Sequence, residues 1–397
     1  MKSNLLVFAV FFISCVEEYT IPKEGTLTMT SDIVIQGRIL SGDNSIVYIT
    51  RTQPLNSKEE NESVPSAQVT IIGQNGYESE LAEFDIENDY YYVDTKDLPN
   101  NTLYALQIKV ENEVYQSEFQ PILVTPEIDE VSYKERNDGI SIHVSTNDDD
   151  NASRCYMWTF EEDWEFHSLV NFTGINGIPV YDKQIYSDEI IDGKNPYLYC
   201  WKHAESANVY IYDTSSLQTN VAKDVVLFRI STDDIRISYI YSILVKQISL
   251  SKKAFNYYDL IKKYSEESGG LFSPIPSEIK GNITCVSNPE KKVHGYVLAS
   301  AMSTKRIFIY EENFELIHSQ YEPECIWKAP TLSNSHQYEW DQLIKQGAIA
   351  ITTNGSYSKY KNPDFLESIL YSRECVDCRA VEGATKKRPD FWPNDHE

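Results

Sequence analysis

"RISYIYSILVKQISLSKKAFNYYDLIKKYSEESGG", residues 236–270, changes its period halfway along. Ile237, Tyr239, Tyr241, Ile243 and Val245 recur at every second position, and period two over that length makes a β-strand. After Ser251 the spacing lengthens. Phe255, Tyr258 and Ile261, with Ile248 or Tyr264, fall near helical spacing; Ser251 is placed to cap the first turn and Gly269-Gly270 to end it. One helix near 251–268 is therefore expected directly behind a long strand.

Working outward, nearly everything else has the shorter period. "IVIQGRI", "SIVYITRT", "AQVTIIGQ", "YYYVDTKDL" and "LYALQIKVENEVYQSEF" are short β runs, punctuated by Gly, Asn, Pro and Asp about every ten residues. Asn75-Gly76 is a strong hairpin turn signal, and "NNTLYALQI" looks like the last turn and strand of an immunoglobulin-like or transthyretin-like module. Residues 28–124 are read as that β-sandwich, closing near Val124 where Pro126 brings a new start. Residues 125–397 form a larger β-rich C-terminal domain, with "GISIHVSTN", "CYMWTFEEDWEF", "NPYLYCWKH", "NVYIYDTSSL" and "DVVLFRIS" as strands. "HGYVLASAMSTKRIFIY" is a long strand, 336–347 a second short helix and "AIAITTNG" a further strand. The expected fold class is mainly β, a sandwich followed by a β-rich domain with one or two helices.

The chain has 397 residues, with 28 Tyr and 15 Phe against 4 Met. Tyrosine suits strands buried on one face and also surfaces that bind sugars or peptides. Sixty acidic against 35 basic residues give a net charge of −25. Such a surface repels phosphate backbones and anionic lipid, which excludes nucleic-acid binding and docking by charge on a membrane.

The first fifteen residues, "MKSNLLVFAVFFISC", carry one Lys, an apolar run from Leu5 to Ile13, then Ser14 and Cys15. This is a secretory signal, too short to span a bilayer, and it resembles a bacterial lipobox in which Cys15 is acylated and becomes the first mature residue. Phe12 departs from the Leu usual in that motif. Glu17 and Glu18 resemble a signal for export to the cell surface, and residues 16–27 read as a tether. The expected location is the outer membrane, lipid-anchored, on the cell surface.

Six cysteines remain: Cys155, Cys200, Cys285, Cys325, Cys375 and Cys378. An even count in an exported chain points to disulfides. The expected pairs are Cys155–Cys200 and Cys285–Cys325, leaving Cys375 and Cys378 as a local clip, or one of them tied to Cys325. Zinc lacks a second Cys-x-x-Cys, and His318, His336 and His396 are scattered; a redox motif lacks its βαβ context. Asp148, Asp149 and Asp150 are contiguous, without the alternation of a calcium loop, and Asp85, Glu87 and Asp89 sit between strands. No metal or cofactor is expected. Catalytic motifs are missing too: there is no Gly-x-Ser-x-Gly, His-Glu-x-x-His or phosphate loop. "TFEEDWEFH" sets Glu161, Glu162, Asp163 and Glu165 among aromatics, which resembles a sugar-binding surface but reads more simply as a strand edge with a charged wet face. A carboxylate pair for glycoside hydrolysis stays open, since only geometry selects one.

Several stretches together are similar to one family: "CVEEYTIP", "YSILVKQISLSKKAFNYYDLIKK", "GGLFSPIPSEIKGNITCVSNPEKKVHGYVLASAMSTKRIFI" and the ending "CVDCRAVEGATKKRPDFW". They resemble the Bacteroidota outer-membrane lipoproteins that carry the domain of unknown function 4249, across nearly all of the mature chain. The ending departs slightly, with Gly383-Ala384-Thr385 for the usual Gly-Gly-Thr and Arg388-Pro389 where Lys-Pro is usual. The resemblance implies a neighbouring TonB-dependent outer-membrane receptor and a part in nutrient capture, with no binding residue to carry over. Phe391 and Trp392 are expected to pack the tail onto the body. The resulting expectation is a non-enzymatic accessory of nutrient uptake that binds a small ligand, glycan or peptide, or the receptor. The alternatives are a surface glycan or peptide hydrolase and an adhesin or structural surface protein.

Overall fold

The computed structural model of the chain describes residues 32–53, 62–99, 101–150, 153–168, 198–206, 208–267, 279–321, 342, 349–352, 368–375 and 377–393. Along them run β1 (Ile33–Ser41), β2 (Ser45–Arg51), β3 (Gln68–Gly73), β4 (Glu83–Asp85), β5 (Tyr90–Val93), β6 (Leu103–Val110), β7 (Glu113–Ser117) and β8 (Gln120–Pro121). There follow β9 (Ile128–Arg136), β10 (Gly139–Asn147), β11 (Cys155–His167), β12 (Tyr199–Glu205), β13 (Tyr210–Asp213), β14 (Val221–Ser231) and β15 (Ile240–Leu250). Helix α1 (Lys252–Glu267), β16 (Ile283–Cys285), β17 (Val293–Tyr310), β18 (Ile349–Thr352) and β19 (Ser368–Tyr371) complete the order. The protein is mainly β, as its alternating runs require.

One large sheet organises the rest, in the order β12-β11-β15-β17-β1-β2-β5-β4, with β13 also on β11. Its hinge in sequence is β17, 18 residues long. The first half pairs parallel with β1, Ile33 opposite Val293 through Ser41 opposite Ala301. The second half pairs antiparallel with β15, Met302 opposite Ile248 through Tyr310 opposite Ile240. Two smaller sheets pack on one face of this large one. The sheet β16-β7-β6-β3 covers the β1 half around Ile35, Ile39, Leu106, Ile108 and Val297. The sheet β14-β10-β9 covers the other half around Ile140, Ile142, Trp158, Tyr241 and Ile243. Helix α1 packs on the opposite face, where Ala254 and Tyr257 meet Leu40, Met157, Ile248, Tyr296 and Leu298.

The first sandwich is thus not one contiguous stretch. Residues 33–123 supply most of it, but β16 and the first half of β17 complete it from beyond residue 280, and Ile283, Cys285, Val297 and Ala299 lie in its core. One of the stretches that carry the family resemblance, "GNITCVSNPEKKVHGYVLASAMSTKRIFI", runs through this junction. Asn282 pairs its side chain with both backbone groups of Val297, at 2.8 and 2.7 Å. Gly295 holds φ at +108° opposite Ile35, and a Cβ there would lie 1.8 Å from the Ile35 carbonyl oxygen. Lys305 caps the carbonyls of Ile128 and Asp129.

Local expectations compare closely. Ser251 Oγ accepts from Ala254 N at 3.1 Å and so caps α1. Asn75-Gly76 turns the chain after β3, with Gly76 at φ +86°. Tyr241, Ile243 and Val245 share one face, but Ile235–Ile237 form a 3₁₀ turn and the strand begins at Ile240. Strand β15 is central and covered on both faces, so its neighbours Ile240, Ile248 and Leu250 are buried as well. The expected helix at 336–347 lies outside the described residues except for residue 342. Among the described residues, no helix is long and apolar enough to cross a membrane.

The cysteine pairing departs from expectation. Cys200 bonds Cys378, with Cα atoms 5.6 Å apart, and Cys155 and Cys285 are free and buried. The expected Cys155–Cys200 bond is ruled out by register: Cys200 lies opposite Phe166, at the far end of β11 from Cys155. At roughly 3.3 Å per residue that is over 30 Å, against the ~7 Å limit for a disulfide. Cys285 lies in the first sandwich core, which removes the Cys285–Cys325 pair. Cys375 is also disulfide-bonded but not to Cys378, so the local clip is not formed; Cys325 lies outside the described residues.

Gly295→Ala is expected to lower stability by about 3 kcal/mol or more, because strain and a backbone clash coincide on the shared strand. Gly76→Ala, with nothing within 4 Å of its Cβ, should cost only about 1 kcal/mol. Urea midpoints of the two variants check the contrast.

Candidate functional site

Period two in β11 divides its acids between the two faces of the large sheet. Even-numbered Tyr156, Trp158, Phe160, Trp164 and Phe166 enter the second sandwich core, and Glu162 enters with them. It accepts from Arg236 at 2.8 Å and from the Tyr241 hydroxyl at 2.6 Å, while Arg236 also forks onto Asp234. Burial, then Glu162, holds the Tyr241 phenol well above its usual range. The odd-numbered acids line the outer face. Glu161 meets Lys246 at 2.5 Å, and Lys246 also reaches Asp43 at 3.5 Å. Asp163 accepts from His203 at 2.8 Å and Arg306 at 3.0 Å. Glu165 accepts from the Trp392 indole at 3.0 Å and meets His167 at 3.1 Å.

The simpler expectation, a strand edge with a wet charged face, is corrected here. Strand β11 has β12 and β13 on one side and β15 on the other, and Glu162, Asp163 and Glu165 are all buried. Burying a carboxylate is costly unless a cation or strong donor meets it, and each of these three is met. Burial alone would raise the pKa of Asp163, but hydrogen bonds from His203 and Arg306 hold it below the usual carboxylate value. The hydrogen bond to Asp163 raises the pKa of His203 against the effect of burial.

Two elements bound this outer face. Helix α1 covers one end. The tail covers the other: Thr385 pairs with the backbone of Trp201 at 2.9 and 2.8 Å, Cys378 is tied to Cys200, and Trp392 packs among Trp201, Ile240, Phe308 and Tyr310. Phe391 lies 3.6 Å from the Arg306 guanidinium. The expectation that Phe391 and Trp392 pack the tail onto the body agrees with this placement. Beside α1 the face opens into a cavity of about 280 Å³, lined by Gln36, Arg38, Tyr48, Asn208, Tyr258 and Lys262 among others. Tyr48 continues outward to Tyr90 and Tyr92 in edge-on ring contacts of 5.6 and 6.4 Å. Larger spaces of about 440 and 450 Å³ lie under α1 at Tyr257 and Asn282, and at Tyr239 and Tyr310.

The arrangement does not suit acid–base catalysis at β11. Adjacent Glu162 and Asp163 point to opposite faces and cannot flank one bond. His203 and Arg306 hold the Asp163 carboxyl below its usual range, whereas a general acid needs a raised pKa. Asp148 serves its own loop, accepting from Ser153 N at 3.1 Å and Asn220 at 3.3 Å, and Asp85 accepts from the amides of Glu87 and Asn88. Among the described residues no group of three His, Cys, Asp or Glu is placed to hold a metal. Cys15, Glu17 and Glu18 lie outside the described residues. Sequence reasoning missed Arg38, Tyr48, His203, Arg236 and Arg306; the signal for Arg38 was its parity with Gln36 in an otherwise apolar strand.

The family model described as "Domain of unknown function (DUF4249)" matches residues 16–306, well over half the chain, and the protein belongs to that family. The match ends on β17 at Arg306, so the tail motif lies beyond it. Comparison with curated proteins finds no match.

The outer ion pair has a definite pH signature. His203, raised on folding from 6.5, contributes its full stabilisation below that value and loses it as pH rises through the folded value. Asp163, lowered from 3.8, contributes above that value and loses it as pH falls through the folded value. The pair is therefore strongest between about pH 4 and 6.5. Because the His203 side chain is 51% exposed, screening limits the effect, and His203→Gln should cost no more than about 1 kcal/mol at pH 5.5. At pH 8.5 the cost should shrink toward zero. Urea titrations at the two pH values measure the difference.

Proposed function

We propose that this protein is a surface lipoprotein of the outer membrane that binds a ligand for uptake and works beside a TonB-dependent receptor without catalysing a reaction. The observation that carries the binding role is the outer face of the large sheet. Its acids already have partners within the protein, and its open part is a small cavity set with tyrosines and amides. Such a surface offers contacts to a ligand and no poised acid or base.

Three observations support the location. The leader places Cys15 directly after a short apolar run, and the family match begins at the following residue. Glu17 and Glu18 follow as in surface-export signals. The Cys200–Cys378 bond fits an oxidising compartment outside the cytosol. Several acyl chains on Cys15 hold a protein stably, at ~0.8 kcal/mol per buried methylene. A hydrolytic pair of Glu162 and Asp163 is disfavoured, because the two side chains point to opposite faces of the sheet.

Metabolic labelling with palmitate tests the anchor. The wild-type chain takes up label and sediments with outer membranes, whereas Cys15→Ala loses the label and becomes soluble. Label-free wild-type protein would overturn the anchoring. Affinity purification from mildly solubilised outer membranes should recover a TonB-dependent receptor; its absence under crosslinking would remove the receptor from the proposal.

A further inference from the structure

We infer that the 280 Å³ cavity beside helix α1 binds a carboxylated sugar ring, a hexuronate, with Arg38 holding its carboxylate. The inference rests on the binding role proposed above and gives it a ligand class.

Arg38 is the starting point. It sits on β1, is only partly exposed, and its side chain has no ion pair or hydrogen bond among the described residues. Its condition is unusual in this chain. Arg51, Arg136, Arg236, Arg306, Arg373 and Arg379 end on carboxylates. Arg154 and Arg388 end on backbone carbonyls. Of the remainder only Arg229, which is exposed, resembles Arg38. In a protein of net charge −25, with 60 acids available, a guanidinium at a cavity without a carboxylate partner stands out. A ligand carboxylate would complete it, since guanidinium binds carboxylate by a planar two-pronged contact that few other groups reproduce.

The other lining residues define the remainder of the ligand. Tyr48 and Tyr258 stand at the cavity, each braced edge-on by a second tyrosine: Tyr90 at 5.6 Å and Tyr257 at 5.4 Å. Fixed rings of this kind offer an apolar face and a polar rim, which suits the C–H and O–H surfaces of a sugar. The side-chain amides of Gln36 and Asn208 have no hydrogen-bond partner among the described residues, and each offers donors and acceptors to hydroxyls. The volume falls just below the usual range for drug-sized ligands, room for one ring and not for a folded peptide. Glu205 acts on Tyr48 and Tyr90, so negative charge at that rim opposes a polyanionic chain. One carboxylate on an otherwise neutral, hydroxyl-rich ring fits all of these features.

Calorimetric titration of the whole chain in detergent, at low salt, tests the site with D-glucuronate, D-glucose and a free-carboxylate tripeptide. Glucuronate should bind at least about tenfold tighter than glucose, roughly one charge-assisted contact's difference. Arg38→Gln should abolish that preference, bringing the two sugars to equal affinity, and Tyr48→Ala should weaken both sugars. Equal binding of the two sugars by the wild-type chain overturns the inference without recourse to any variant. So does a preference that survives Arg38→Gln, or tighter binding of the tripeptide. Palmitate labelling is independent of this titration, so failure here leaves the anchor standing, and an unlabelled chain leaves the sugar site standing.

Discussion

Everything in this fold depends on one strand pairing with two partners. Strand β17 runs through both sandwiches, bonded parallel to β1 in its first half and antiparallel to β15 in its second. It supplies Val297 and Ala299 to one core, Ile309 to the other, and Tyr296 and Leu298 to the layer under α1. A parallel pair needs a long crossover, and here about 250 residues of chain separate β1 from its partner. The first sandwich is therefore completed by segments that follow most of the second one along the chain. Gly295 permits the close approach that the pairing requires, and Asn282 satisfies backbone groups of β17 at the same junction.

What was legible in the sequence was local. The period change at Ser251, the Asn75-Gly76 turn and the packing role of Trp392 follow from spacing and residue chemistry, and each is found in place. What was not legible was distant. No local pattern in "HGYVLASAMSTKRIFIY" indicates that its two halves serve different sandwiches, so a boundary near Val124 looked clean. The cysteines failed for a related reason: Cys155 and Cys200 are near in sequence, yet lie toward opposite ends of β11. The acids of "TFEEDWEFH" looked wet because their partners, Arg236, His203, Arg306 and Trp392, come from four other segments.

Those same partners shape the outer face of the large sheet. Glu161 and Asp163 meet cations and Glu165 accepts from the Trp392 indole, and these contacts tie β11 to its neighbours and dock the tail. Helix α1 and the disulfide-tied tail then frame the open surface from two sides. Within that frame Arg38 lines the cavity, partly exposed and without an ion pair or hydrogen bond among the described residues. Of the ten guanidinium groups, only Arg38 and the exposed Arg229 lack a carboxylate or carbonyl among the described residues, and Arg38 is the one that lines the cavity.

Hydrogen exchange read by mass spectrometry across a urea series addresses the shared strand most directly, because peptides from each sandwich report separately. Peptides spanning 33–41, 103–117 and 240–250 should lose protection together, at one urea midpoint, along with 293–310. A distinctly lower midpoint for the peptides of the first sandwich, with 240–250 and 302–310 still protected, would contradict a single structure held together by β17.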